Sequence, residues 1–244
     1  MIRFDRQIVH SLRGFSLIEL AIVLTVLSVL AGSLMTPMGL RIQRQNESKT
    51  SSQLQTVTKV ILGYAMSHGR LPCPIPLNVH EQTVVDEDGN CVSYSGGIPS
   101  SFWHSDGAGP SHSVLLDAWH RPIRYSLSQS NHESLGNSVW DDWVHSDEIK
   151  SVGASVLKAG LRVCVDSMDD CLGSPRREAA AVFVVYSLGQ DDSAQSDQAV
   201  NQNGDQQFFQ GSYSSHSDTP FDDQLVWVGK SELVYWLVKS GQLP

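Results

Sequence analysis

The sequence predicts an α+β fold in which a long N-terminal helix packs on an antiparallel β-sheet head. Three features predict it: an apolar run from Phe15 to Leu34, a second apolar pattern of helical period that starts at Leu54, and short β-branched segments after residue 160. The first run covers about 20 residues, enough to cross a hydrocarbon core as a helix. The first half of the helix is therefore predicted to span a membrane.

The helix has a predicted interruption and a predicted end. Pro37 lacks a backbone N–H, so it kinks the helix or marks its exit from the membrane. Gly69 then ends the helix. Between them lies one apolar stripe, formed by Leu54, Val57, Val60, Ile61, Tyr64 and Ala65. We predict a segment over 15–36 that faces lipid or other subunits, a continuation that packs on the head over 37–69, and the head itself over 70–244; the resemblance described below makes the first segment a transmembrane and filament-core helix.

Three segments of the head read as strands. Leu161–Val165 alternates between apolar and polar or small residues, as a half-buried strand does. Ala180–Leu188 is a continuous β-branched and aromatic run, which suits a central strand. Leu225–Val228 predicts a further short strand. A terminal helix is expected over Glu232–Lys239, with Ser231 as its N-cap.

Charge and motif content exclude several function classes. The net charge of the chain is −9. The first 14 residues carry +2 (Arg3, Arg6 and Arg13 against Asp5), so the rest of the chain carries about −11. A basic start before an apolar segment holds the N-terminus in the cytoplasm. The acidic remainder argues against nucleic-acid binding, which needs clustered Lys and Arg. Because phosphate-cradling, nucleophile-elbow and zinc-protease motifs are absent from the sequence, we do not expect an enzyme.

Glu19 is the most informative residue of the apolar run. A carboxylate in hydrocarbon is costly unless it is paired, and the run holds no Lys, Arg or His. A cut between Gly14 and Phe15 would create an ammonium group on Phe15, four residues before Glu19 and on the same helix face. The pair could close within one chain or between neighbouring chains of an assembly.

These residues carry a resemblance to a known family. Arg13-Gly14-Phe15-Ser16-Leu17-Ile18-Glu19-Leu20 resembles the processing site of type IV pilins and type II secretion pseudopilins. The resemblance implies a prepilin leader over 1–14, a prepilin peptidase that cuts after Gly14 and methylates Phe15, and pairing of Glu19 with the Phe15 amine of a neighbouring subunit. It also implies a pilin-like fold, other pilin-type subunits and an inner-membrane assembly platform as partners, and a periplasmic head.

Two segments of the head resemble sequence patterns of the same family. Asp117-Ala118-Trp119-His120-Arg121-Pro122-Ile123-Arg124-Tyr125 resembles an Asp-x-Trp-Gly-x-Pro-x-x-Tyr pattern of pseudopilin-like domains, with His120 where Gly is usual. It predicts a turn that leads into a strand, with Trp119 as a core anchor. The stretch 221–227 resembles a recurrent C-terminal pattern of pilin-like proteins.

The four cysteines all follow the apolar run, which agrees with export and with two disulfides. Three connectivities are possible, and the nearest-neighbour pairs Cys73–Cys91 and Cys164–Cys171 are our prediction. A zinc site is the rival interpretation, but no Cys-x-x-Cys spacing occurs.

No cofactor is expected, although calcium stays a candidate ligand at two loops. Residues 86–90 alternate acidic side chains around a Gly, a pattern that also suits a solvated turn. The resemblance to pseudopilins raises calcium again at Asp191, Asp192, Asp197 and Asp205, where a surface loop is the alternative.

We predict a minor pilin, because about 230 mature residues exceed the length of a typical major subunit. The alternatives are a pseudopilin of a type II secretion system and an exported adhesin held by its anchor. A conventional signal peptide, cut after Ala31 so that the mature chain starts at Gly32, is the rival interpretation of the apolar run.

Overall fold

The structure is a computed structural model that describes residues 16–77, 84–87, 89–99, 114–128, 143–145, 149–150, 153, 157–165, 178–190, 196–214 and 221–244. Side chains are not described for residues 32–38, 40, 178 and 196–198 within these ranges. The chain divides into two compact units, Met1–Gln45 and Asn46–Pro244. We call the latter the second unit.

The described part contains one long helix, one helix of ten residues, six strands and a 3-10 segment. Helix α1 covers Leu17–His68 and helix α2 covers Lys230–Lys239. The 3-10 segment covers Ser196–Gln202. The strands are β1 (Ser95–Gly97), β2 (Arg124–Leu127), β3 (Leu161–Cys164), β4 (Glu178–Ser187), β5 (Gln207–Phe209) and β6 (Gln224–Gly229).

Helix α1 is continuous through Pro37 and ends where the sequence predicts. Gly69 follows it with a positive φ of 68°, and the Gly69 N–H donates to Ala65 O at 2.8 Å. Glycine suits this left-handed C-cap because it has no Cβ. The predicted stripe faces the core: Leu54, Val57, Ile61 and Ala65 are buried, and Val60 and Tyr64 are half-buried.

Strand β4 is the centre of the sheet. It pairs antiparallel with β2, β3 and β6, and β1 pairs antiparallel with β2. The prediction of an α+β fold is confirmed, but the expectation of a purely antiparallel sheet is wrong at one edge. Strand β5 lies parallel to β3, because β4 and the 3-10 segment intervene between them and return the chain in the same direction.

Both faces of β4 are buried, which explains its continuous apolar sequence. Phe183 and Val185 pack in the core that α1 and α2 cover. Val184 and Tyr186 pack in a second cluster with Phe208 of β5. Tyr186 and Phe208 meet edge to face, with ring centroids 5.2 Å apart.

Two expectations about single residues of the head are wrong. Trp119 is half-buried in its turn, whereas Trp143 is the core tryptophan, 1% exposed, with its Nε1–H donating to Lys158 O at 2.9 Å. The N-cap of α2 is Gly229, not Ser231, and no side chain caps it. The helix begins earlier because β6 runs directly into it, so Ser231 falls inside its first turn.

Candidate functional site

The predicted assembly site lies at the first turn of α1. The Ile18 N–H donates to Ser16 Oγ at 3.4 Å, and the Leu20 N–H donates to Ser16 O at 3.1 Å. Ser16 therefore caps the helix, a role that the sequence analysis missed although Ser is a preferred N-cap residue. Glu19 lies in this turn with an exposed side chain. The partial positive charge of the helix N-terminus favours a carboxylate there.

The helix surface beyond Glu19 is exposed and mostly apolar. Every described side chain over 16–31 is exposed, including Ile22 and Leu24, each 57% exposed. The hydroxyls of this surface are satisfied within the helix, since Thr25 donates to Ile22 O and Ser28 donates to Thr25 O, each at 2.8 Å. Glu19 is the only charged residue in the sequence from Phe15 to Leu34.

Gly14 and Phe15, the predicted processing positions, lie outside the described residues. In the part of the chain that the structure describes, no helix combines the length and the apolarity that a membrane crossing requires.

The cysteines of the head are paired as far as the structure describes them. Cys73 and Cys91, both buried, form a disulfide with their Cα atoms 5.3 Å apart. Cys164 is also disulfide-bonded. Its predicted partner, Cys171, lies outside the described residues.

The calcium candidates that the structure describes are engaged in local hydrogen bonds. Asp86 Oδ1 accepts from the Asn90 N–H at 2.8 Å and Asp86 Oδ2 accepts from Asn90 Nδ2 at 2.9 Å. Asp205 accepts from the Gln207 N–H at 2.7 Å and from Asn203 Nδ2 at 2.8 Å. Among the described residues, no group of three or more His, Cys, Asp or Glu could hold a metal ion. Asp191, Asp192 and the side chain of Asp197 lie outside that set.

Asp222 and Asp223, just before β6, accept hydrogen bonds that hold neighbouring loops against the sheet. The sequence analysis missed this role. Asp222 Oδ2 accepts from the Gln190 N–H at 2.6 Å. Asp223 Oδ2 accepts from Asn201 Nδ2 at 2.8 Å. The buried Asn201 side chain also donates to Phe209 O and accepts from the Phe209 N–H, at 3.0 and 2.8 Å. These bonds link β6 to the loop after β4, to the 3-10 segment and to β5.

A second buried carboxylate, Asp117, shapes the turn before β2. Its Oδ1 accepts from the Trp119 N–H at 2.8 Å and from the Arg121 N–H at 2.9 Å. Its Oδ2 accepts from the Ser187 hydroxyl at 2.6 Å. Asp is common at the start of turns because its side chain accepts from backbone N–H groups further along the chain, which forms an Asx turn. This preference is the sequence signal that could have identified the role of Asp117.

The turn has a left-handed residue where the family pattern has Gly. His120 has a φ of 64°, and the other described residues with positive φ are glycines. The His120 side chain is exposed. The Ala118 N–H donates to Thr50 Oγ1 of α1 at 3.2 Å, which anchors the turn on the helix.

Comparison with protein families finds the prokaryotic N-terminal methylation motif at residues 11–35. No curated protein and no solved structure matches the chain. The motif supports the type IV pilin and pseudopilin family that the sequence resembles, and the helix followed by a six-stranded sheet is consistent with a pilin-like α+β fold. The methylation motif implies processing by a prepilin peptidase and assembly with other pilin-type subunits.

Proposed function

We propose that the protein is a minor pilin: a subunit of a type IV pilus-like filament that is held in the bacterial inner membrane by the first half of α1 until it is assembled. The observation that carries the proposal is a single carboxylate, Glu19, at the start of an exposed apolar helix surface. The methylation motif over 11–35 supports it.

The exposed apolar surface of α1 favours association of this subunit with lipid or with other helices. Exposed side chains such as Leu17, Ile22 and Val29 are unfavourable in water, so lipid or the helices of neighbouring subunits cover them. In lipid, Glu19 is the costly group, because a charged side chain inside a bilayer is unfavourable unless it is paired. The Phe15 amine of a neighbouring subunit offsets that cost.

Pairing also sets the position of each new subunit. Ion pairs in hydrocarbon require close approach of amine and carboxylate, so only one axial register satisfies both groups. The apolar helices then bundle as the core of the filament, and the heads form its surface. In this mechanism Glu19 acts in assembly, and no residue of the chain acts in catalysis.

The test compares Glu19→Ala with Thr25→Ala in cells that make the filament. Glu19→Ala removes the charge, whereas Thr25→Ala removes a hydroxyl that already bonds within the helix. We expect both variants to reach the membrane and to lose the leader normally. The fraction of Glu19→Ala in sheared filaments should fall about tenfold or more, as the loss of roughly 1.4 kcal/mol in an association step would produce.

Quantitative immunoblots of filament and membrane fractions measure this ratio. Incorporation of Glu19→Ala at the wild-type level would contradict the mechanism and favour the tethered adhesin. Deletion of the gene then distinguishes a type IV pilus from a type II secretion system. Loss of surface filaments supports a pilus, and loss of protein export with filaments intact supports a secretion pseudopilin.

A further inference from the structure

The outer face of helix α2 carries exposed apolar side chains. Tyr235 is 57% exposed and Val238 is 47% exposed, and they lie on the same side of the helix because they are three residues apart. The opposite side of α2 is buried, since Leu233 and Leu237 pack in the core. Helix α2 therefore has a second, uncovered face. The exposed residues that form this face are Ser231, Glu232, Tyr235, Val238 and Lys239.

Two opposite charges lie on either side of Tyr235 along the outer face. Glu232 and Lys239 are both exposed and are seven residues apart, which is close to two helical turns, so they lie on the same side of α2. Tyr235 is near the midpoint between them along the helix axis. The helix dipole favours an acid in the first turn and a base in the last. The dipole does not explain why a large aromatic ring is exposed between the two charges.

The Lys239 side chain is held in place by two aromatic rings of its own helix. Lys239 Nζ lies 4.9 Å from the ring centroid of Trp236 and 5.7 Å from that of Tyr235. The two rings meet edge to face, with centroids 5.3 Å apart. An ammonium group has three N–H donors, so a contact with the rings leaves donors for a carboxylate. A side chain that is already ordered loses less entropy when it binds a partner.

We propose that the outer face of α2 binds the same face of a second copy of this chain, with the two helices antiparallel about a two-fold axis beside Tyr235. In such a pair, Glu232 of each copy lies opposite Lys239 of the other, because the two charges are equally far from Tyr235. Two ion pairs then enclose the two Tyr235 rings, which become covered. The face is thus complementary in charge to itself, and this identifies the partner as a second copy.

This dimer goes beyond the proposed function and does not depend on it. A two-fold contact closes on itself and does not propagate along a filament, so the dimer belongs to the unassembled protein. One face of a ten-residue helix is small beside the roughly 1,000 Å² that a stable interface buries. We therefore expect a weak, reversible dimer, for which covalent trapping is the suitable measurement.

The first test traps the dimer through a cysteine at its centre. Full-length Tyr235→Cys protein in detergent is oxidised with copper phenanthroline, and crosslinked dimer is measured on non-reducing gels. The matched control is Tyr213→Cys, which changes another exposed tyrosine, 48% exposed. We expect about fivefold more crosslinked dimer from Tyr235→Cys, because the contact raises the effective concentration of its two cysteines. Thermal unfolding checks that both variants keep the wild-type fold.

The second test reverses each charge in the Tyr235→Cys protein. Glu232→Lys gives a face with two positive charges and Lys239→Glu gives a face with two negative charges, so each variant alone should crosslink about threefold less or lower still. An equal mixture of the two variants, one of them tagged, should restore crosslinking as a mixed dimer. Only an arrangement that places Glu232 opposite Lys239 of the other copy predicts this recovery.

Each outcome supports or overturns the antiparallel dimer. Crosslinking of Tyr235→Cys no stronger than that of Tyr213→Cys would show that α2 is not a contact between copies. Crosslinking that persists in both charge variants, or that does not recover in the mixture, would overturn the pairing of Glu232 with Lys239. None of these results bears on the filament function, which the Glu19→Ala variant tests separately.

Discussion

At the scale of single residues, the half-buried carboxylate of Asp222 joins the loop after β4 to the residues just before β6. Asp222 holds the loop after β4 through the Gln190 N–H, and Gly189, just before it, lies against the Asp222 carboxylate. Gly189 has a φ of 65°, so its backbone is also unfavourable for other residues. Two separate physical requirements therefore select glycine at this position.

We expect Gly189→Ala to destabilise the protein more than Gly204→Ala. Both glycines have positive φ, 65° and 75°, so both substitutions carry a backbone cost of about 1 to 2 kcal/mol. A Cβ at Gly204 meets no atom within 4 Å, whereas a Cβ at Gly189 overlaps the Asp222 carboxylate. This overlap adds about 1 to 3 kcal/mol, the cost of overpacking.

Urea unfolding of the two variants measures the difference. Equal unfolding free energies for Gly189→Ala and Gly204→Ala would show that Asp222 moves away without cost.

Tyr125 on β2 provides a second prediction at this scale. It is 1% exposed, its hydroxyl has no hydrogen-bond partner among the described residues, and its ring packs edge to face on Phe183. An unsatisfied buried hydroxyl is destabilising. We expect Tyr125→Phe to leave the unfolding free energy at pH 7 unchanged or to raise it by about 1 kcal/mol.

The same residue predicts a pH dependence. Burial, with a smaller contribution from Tyr64, raises the pKa of Tyr125 well above its ordinary value of 10.0. Above pH 10 the unfolded chain loses this proton and the folded chain keeps it, so the unfolding free energy falls as the pH rises. Thermal unfolding from pH 8 to 11 should show a shallower decline for Tyr125→Phe, and parallel declines would contradict the assignment.

At the scale of elements, α1 shows two different surfaces along one helix. Its first described part is exposed on all sides, as Ile18 and Leu20 illustrate, whereas Leu54 and Ile61 pack in the core of the second unit. A helix that is apolar all round is buried in lipid or within protein, and a helix with one apolar stripe packs that stripe on a core. The apolar pattern of each part of α1 therefore matches its surroundings: residues on all sides where the helix is exposed, and one stripe where it packs in the core.

The disulfide stabilises the region that follows α1. Cys73 and Cys91 are buried in the main core and are 18 residues apart. A crosslink of this span stabilises by about 3 kcal/mol through loss of unfolded-chain entropy. The double variant Cys73→Ala and Cys91→Ala should lose about that much in urea unfolding under oxidising conditions. Reduced wild-type protein should lose more, because reduction also breaks the disulfide of Cys164. A loss below about 1 kcal/mol would show that the core, not the crosslink, holds this region.

At the scale of the whole molecule, the first 14 residues and the acidic remainder have opposite charge. The first 14 residues carry +2, and the remainder carries about −11. Positive residues before an apolar helix stay in the cytoplasm, so a membrane-spanning first half of α1 would place the acidic head on the other side. The methylation motif over 11–35 covers the junction between the two parts.

Processing gives a prediction at this scale. We expect the mature protein to begin at Phe15 with a methylated amine, because residues 13–20 resemble a prepilin processing site and the methylation motif matches residues 11–35. N-terminal mass spectrometry of protein from the membrane fraction measures it. A start at Gly32 would identify a conventional signal peptide and remove Glu19 from the mature chain, and with it the proposed mechanism.

The regular elements of the second unit were largely predictable. The stripe from Leu54 to Ala65 and the run from Ala180 to Leu188 matched α1 and β4, since burial on one stripe or on two faces leaves a periodic or continuous apolar pattern. Short strands were harder to identify: β1 and β5 have three residues each, too few for a pattern. Their pairing depends on partners that are distant in sequence.

The sequence by itself determined the match to the N-terminal methylation motif over 11–35, because the basic start, the carboxylate and the apolar run are local and stand in fixed order. Only the tertiary structure decided the ties at Asn201, Asp117 and Asp222, the choice of Trp143 over Trp119 as the core tryptophan, and the parallel edge strand β5. These features depend on contacts between residues far apart in the chain, and the spacing of neighbouring residues does not encode which of them meet.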